Sequence, residues 1–539
     1  MRVLTFFTAV LLSIFSTVVM SYISMAIPIG PWIAPTLALI GLIIFRLFAC
    51  CKNGCSEGVA LATSAGSVGG ILATALGFYF TTLYFLDPDF FDVWMAKPFS
   101  FSLVLFGLSI AGGMLGILVA NIFENKFIVQ DKLSFPIGQL VHKTISAQKQ
   151  VKKALELIVG FVSTIIFCLL QDGIMKFKGF IPKAVTLVSP YAISVFKIPA
   201  IRLDFWPMLW ALGFVTGHVV AIPLAIGVLS KILLVKPMYL LAFAELSWME
   251  YIITFCSGMV LSTAIFGFIK TPKSLFKSVK NLFAKESKSK DEEKSLHAKN
   301  INIIETILIF VSLVLFLTYF NFSFLSQLYL IVFSFICAYQ LAIIAGKIGL
   351  APMGKFATFV MVPAMFIFPL SSYQTIFIAT FVGISGGVAC DILFGRKLAH
   401  LANIPRQKIK RYQYIGLIVS ALVVGIVFWF LINHFHLGSD HLFALRAQNR
   451  WMLINTLKNA KSFNYYVLVL GAVFGLLLSR LKVSPLLVLG GLFMPINITL
   501  GLVIGGLGAL LVKNKEEWYP FWSGVYAANS IWMLIRAIF

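Results

Sequence analysis

Fifteen apolar stretches of 17 residues or more follow one another along this chain, from Val3–Ile27 to the run at 518–538, and short basic loops separate them. A helix needs about 20 apolar residues to cross the hydrocarbon of a bilayer, whereas a membrane β-barrel shows alternating segments of about 10. No such alternation occurs, so the crossings are expected to be helices. Sixty per cent of the residues are hydrophobic and only 12% are charged, as expected where lipid replaces water around most of the surface. The expected fold is an all-α polytopic membrane protein. Several runs are long enough for two spans or a broken pair, which brings the expectation to about 16 transmembrane helices with broken or re-entrant elements.

The formal net charge of +23 does not point to nucleic acid, because lysine and arginine sit in loops at the ends of apolar runs, where they hold loops on the cytoplasmic side. The stretch at 270–300 carries nine lysines against four acidic residues and is read as a cytoplasmic linker. It divides an N-terminal transmembrane half, 1–269, from a C-terminal half, 301–539. With it inside, counting four spans back from the loop between Lys126 and Lys153 puts Asp87, Asp89 and Asp92 outside and Arg46 and Lys52 inside, and an even number of spans in the first half puts the amino terminus in the cytoplasm. The run from Val3 to Ile27 is too long for a signal-peptide core and is expected to remain a membrane helix. A cell membrane, plasma or bacterial inner, is the expected location. CCKNGC, with Cys50, Cys51 and Cys55, has no matching pair of histidines or cysteines, so neither metal nor cofactor is expected.

Both halves reach a basic, proline-containing segment after their fourth run. ANIFENKFIVQDKLSFPIGQ from Ala120 overlays CDILFGRKLAHLANIPRQ from Cys390 with one gap, a possible internal repeat. In transporters built from such repeats the substrate site lies near midplane between them.

Asp391 followed by Lys397, His400, Pro405 and Arg406, then YQYIG from Tyr412, resembles the second-half signature of the oligopeptide transporter (OPT) family, which includes peptide and yellow-stripe-like metal-chelate branches. KFIVQDKLSFPIGQ from Lys126 is similar to its first-half element, with Leu133, Phe135, Pro136 and Gly138. TSAGSVGGILATALGF from Thr63 resembles its small-residue third span. The runs from Trp210 and Val483 resemble its broken helices, and SGVYAANSIWMLI from Ser523 its final span, where Asn529 stands at a position often acidic in the family. The resemblance implies a secondary transporter importing small peptides, glutathione-like compounds or metal chelates together with protons.

The site candidates follow from the cost of polar groups in lipid, about 2.5–3.5 kcal/mol for a carboxylate at a helix centre. Asp391 therefore faces a cavity and takes part in coupling or gating, or else pairs with Lys397 or Arg396 and merely fixes two helices. His218, in a glycine-broken run, either carries a proton or binds substrate, or else bonds a freed carbonyl. Lys397 and His400 are candidates for gating, His400 in a basic loop where solvation is the plain alternative. Glu245 ranks first among the remaining carboxylates as a proton carrier because apolar residues flank it. GSVGG, GGLFMPIN and IGGLG have no lysine at Walker spacing and read as close helix packing. Pro136, Gly138 and the element from Pro485 to Pro495, with Asn497, are set apart as substrate contacts, since half-helix ends turn dipoles and open backbone groups toward a ligand, and Asn529 of the final span joins them as a candidate. Trp32, Trp94, Trp451 and Trp518 read as interfacial anchors.

The expected function is secondary active import of small oligopeptides or related compounds, coupled to protons, with small molecules, protons and membrane lipid as partners and no nucleic acid. Two alternatives stand beside it: transport of metal-siderophore chelates, and a polytopic membrane enzyme acting on a lipid-linked substrate. The enzyme would need paired carboxylates, and the acidic DPDFFD stretch reads better as an external loop.

Overall fold

The computed structural model describes residues 2–270 and 311–538, apart from 27–31, 50–54, 148–150, 174–178, 189–190, 194–195, 199–200, 312, 440–441, 443, 445, 449, 452, 455–463, 494–495 and 513. The linker at 271–300, Glu305, Cys50, Cys51 and Pro495 lie outside the described residues. Among these, eight helices are long and apolar enough to cross a membrane, and five shorter apolar helices accompany them. The all-α polytopic expectation holds.

The first part of the chain forms α1 (Arg2–Ala26), α2 (Ala34–Ala49), α3 (Cys55–Tyr79), α4 (Thr82–Leu86), α5 (Pro88–Met95), α6 (Pro98–Glu124), α7 (Pro136–Ala147) and α8 (Val151–Asp172). The segment expected as an external loop is partly helical: α5 has Pro88 in its first turn, and the Asp87 carboxylate accepts a hydrogen bond from the Phe90 amide at 3.4 Å. Aspartate before proline is a strong helix start, which the loop reading overlooked. Two short antiparallel strand pairs follow, β1 (Ala184–Val188) with β4 (Ile201–Asp204) and β2 (Tyr191–Ile193) with β3 (Phe196–Ile198). The apolar-run reading had left this stretch blank.

The long run from Trp206 is broken, as its glycines and proline suggested. α9 (Pro207–Thr216) stops where Gly217 adopts φ +71°, and α10 (His218–Ser230) resumes immediately. Glycine alone takes that conformation without a Cβ penalty. α11 (Lys236–Ala242) and α12 (Trp248–Lys270) complete this part. Beyond position 311 come α13 (Phe324–Ile348), α14 (Met353–Ile367), α15 (Ser372–Leu401), α16 (Arg406–Phe435), α17 (Tyr465–Arg480), α18 (Pro485–Phe493), α19 (Ile496–Gly508) and α20 (Tyr519–Ile538).

Two helices form the centre. Most of α3 and most of α15 are buried within the protein, and the two pack against each other. α6 and α13 also pack on α15, and α1 packs along α3. The small residues that give α3 no polar or apolar stripe let neighbours approach on every side, as an all-round buried helix requires. At the periphery α8 packs on α20 and α12 on α17.

The broken elements pack on each other: α9 against α19 and α10 against α18 and α19. A Cβ on Gly213 would run into the Leu502 carbonyl and lie 3.0 Å from the Gly505 Cα, and a Cβ on Gly227 would lie 2.8 Å from the Gly491 Cα. The glycine runs are packing surfaces.

Candidate functional site

Asp391 lies on α15, 2% exposed, and its carboxylate accepts a hydrogen bond from Ser67 Oγ of α3 at 2.7 Å. No ion pair to it exists among the described residues. The alternative in which it pairs with Arg396 is not what the side chains do. Arg396 Nη1 lies 2.7 Å from Glu124 Oε2, and its Nη2 donates to Asn121 Oδ1. Arg406 Nε lies 2.8 Å from the same Glu124 oxygen, and its Nη2 donates to the Asn121 carbonyl at 3.3 Å. Gln413 adds bonds to the Ser64 hydroxyl and the Ile392 carbonyl. This buried, charge-assisted network ties α6 to α15 and α16.

Asp391 and Ser67 face a cavity of about 550 Å³, within the roughly 300–1,000 Å³ usual for ligand pockets. Residues from α3, α9, α14, α15, α18, α19 and α20 line it, so elements on both sides of the linker contribute. Its walls are mainly apolar. Trp32, expected as an interfacial anchor, is 8% exposed and belongs to this wall; its amide donates to the Tyr526 hydroxyl at 3.1 Å, and its ring meets Phe394 edge-on.

Lys355, Arg446 and Arg450 bring positive charge to the same cavity, where Asp391 is the one carboxylate among the described lining residues. Arg450 Nη1 donates to the Phe78 carbonyl at 2.7 Å, and its guanidinium lies 4.3 Å from the centre of the Tyr79 ring. Arg446 stacks over Phe78 at 4.1 Å. Arginine over an aromatic face is held by the ring quadrupole, which fixes both groups at the end of α3.

The other sequence candidates sit elsewhere. Pro136 and Gly138 are buried in the first turn of α7, away from the cavity lining; a Cβ on Gly138 would lie 2.6 Å from the Phe394 carbonyl and 3.2 Å from Lys397 Cβ, so glycine there serves the contact of α7 with α15. Lys397 is buried at that contact rather than beside Asp391, and His400 is half-buried in the last turn of α15. His218 is exposed at the start of α10. Glu245 is exposed in the turn before α12, so its apolar neighbours in sequence do not bury it. Glu250 and Ser247 bond each other's backbone amides at 3.1 and 3.2 Å, a reciprocal cap for α12.

Asn529 is buried on α20, and its side-chain oxygen accepts a hydrogen bond from the Met208 amide at 3.3 Å. It thereby caps α9, a role the resemblance did not imply. Asn497 donates to Asp204 of β4 and faces a second cavity, of about 590 Å³, together with Arg202, Lys231 and Lys236. Its neighbour Ile498 and Gly490 reach the first cavity instead.

Sequence reasoning missed Ser67, Glu124, Lys355, Arg446 and Arg450. The signal for the last two was the i, i+4 spacing of two arginines in the weakly apolar stretch between α16 and α17. Glu124 stood in the overlay of the two basic segments, opposite the stretch that holds Arg396.

Apolar crossings, two broken helices packed on each other, and an internal cavity that reaches a carboxylate on a central helix define a polytopic membrane protein. The family model described as OPT oligopeptide transporter protein matches residues 3–529, nearly the whole chain, and the chain belongs to that family. It is thus a multi-pass membrane transporter of oligopeptide-type substrates. Comparison with curated proteins returns no match.

Proposed function

We propose that this protein is a proton-coupled importer of small oligopeptides or closely related compounds in a cell membrane, with its amino terminus in the cytoplasm. Substrate occupies the 550 Å³ cavity, and the halves 1–269 and 301–539 rock about it. The observation that carries the reading is Asp391: a carboxylate 2% exposed, with a neutral serine as its polar partner, at the wall of that cavity. A buried carboxylate without a cation is costly unless a proton or a cationic group on the cargo neutralises it. Asp391 is therefore the coupling residue, and binding and release of its proton accompany the change of access. Membership in a family of transporters favours this over the enzyme reading.

Uptake of trialanine by proteoliposomes, with and without an inward proton gradient, tests it. Wild type is expected to accumulate the peptide only under the gradient. Asp391→Asn is expected to lose accumulation at least tenfold while still exchanging internal for external peptide. Accumulation by Asp391→Asn at the wild-type level would remove Asp391 from the coupling role.

A further inference from the structure

We propose that Arg446, Arg450 and Lys355, with Tyr79 packed beside them, form a carboxylate-binding subsite at one corner of the cavity, so that the cargo must carry a free carboxylate. The inference rests on the transport reading for its location and adds the chemistry the cavity selects.

Four observations converge. Lys355, Arg446 and Arg450 all line the cavity, and Asp391 is the one carboxylate among its described lining residues, so the lumen is cationic at this corner. Arg450 is 8% exposed, yet among the described residues its Nε has no hydrogen-bond partner, and neither does the hydroxyl of Tyr79, which is 0% exposed. Buried donors of this kind are costly to leave unsatisfied, and a carboxylate is a strong acceptor for them. Gly354 borders this corner. A Cβ at that position would lie 3.3 Å from Arg446 Nη1, 3.9 Å from the Tyr79 hydroxyl and 4.0 Å from Arg450 Nη2, so all three groups face one point. Gly354 is also in the first turn of α14, a 15-residue helix whose amino-terminal end adds positive potential at the same place.

The position of the corner also sets a length. Ser67, Ile71, Thr74 and Phe78 all line the cavity from one face of the uninterrupted α3. Asp391 binds Ser67, and the arginines bind Phe78, which puts the two ends about 16 Å apart at roughly 1.5 Å per residue. Allowing about 3 Å for a hydrogen bond at each end, the remaining span accepts about three extended residues at roughly 3.3–3.6 Å each. A tripeptide-sized acid fits.

The test compares trialanine with its carboxyl-terminal amide on the full-length protein, by ligand-induced thermal stabilisation in detergent and by uptake with the membrane potential clamped. The acid is expected to bind at least tenfold more tightly than the amide. Arg450→Gln and the milder Tyr79→Phe are expected to bring the acid toward the affinity of the amide and leave the amide unchanged. Equal binding of acid and amide by wild type, which needs no variant to fold, would overturn the subsite and leave the transport reading standing. Binding of neither probe would also overturn it. Preferential binding of the acid without uptake would support the subsite and sink the transport reading.

Discussion

Asp391 and Arg396 stand five positions apart on α15, and each is 2% exposed. Arg396 lies among partners, with Glu124, Asn121 and Gln413 all within bonding reach. Asp391 has a serine and a cavity. Burial alone therefore does not separate a strut from a reactive group. What separates them is whether the surrounding protein completes the charge: a completed charge fixes helices in place, and an incomplete one waits for something that arrives from outside.

On a scale of stability, the largest loss is expected from Glu124→Leu. It leaves the guanidiniums of Arg396 and Arg406 without their shared anion and should cost about 3–5 kcal/mol, read as a lowered thermal midpoint in detergent. A cost under about 1 kcal/mol would mean that the network is solvated and would break the comparison. Next comes Gly491→Ala, whose Cβ would collide with the Leu224 carbonyl of the partner broken helix; overpacking of this kind costs about 1–3 kcal/mol. Asn529→Ala, which removes the cap from the Met208 amide, is expected to cost about 1 kcal/mol, and an unchanged midpoint would show that another group caps α9. The smallest change belongs to Asp391→Asn, because the amide oxygen still accepts from Ser67. Its midpoint should stay within about 0.5 kcal/mol of wild type. A loss as large as that of Glu124→Leu would make Asp391 a strut as well.

Much of the fold was legible in the sequence because lipid imposes a simple rule, that crossing segments be long, apolar and helical. The break near Gly217 was legible for the same reason, glycines and a proline being conspicuous inside an apolar run. The site was legible only where a charge interrupted such a run, as at Asp391. The partners of each charge were not: Ser67 and Asp391 are 324 positions apart, and Glu124 and Arg396 are 272 apart. Sequence neighbours misled at Glu245, which is exposed although apolar residues flank it along the chain. They misled equally at Pro136 and Gly138, where the need for close packing of α7 on α15 produces the same residues that a substrate loop would. Trp32 shows the converse, a residue type common at membrane surfaces placed in an internal wall.

Four glycines of the two broken elements meet main chain rather than side chains. Gly213 faces Gly505 and the Leu502 carbonyl, and Gly227 faces Gly491 and the Val488 carbonyl. A larger residue at any of the four cannot be offset by a smaller one opposite, since the residue opposite is already the smallest and the obstacle is a peptide group. A genetic screen for suppressors of Gly213→Val should return true revertants and not second-site changes at 505. The joint between these helices thus lacks the usual route by which interfaces drift, and whatever motion the transporter makes there was settled before its side chains could be tuned.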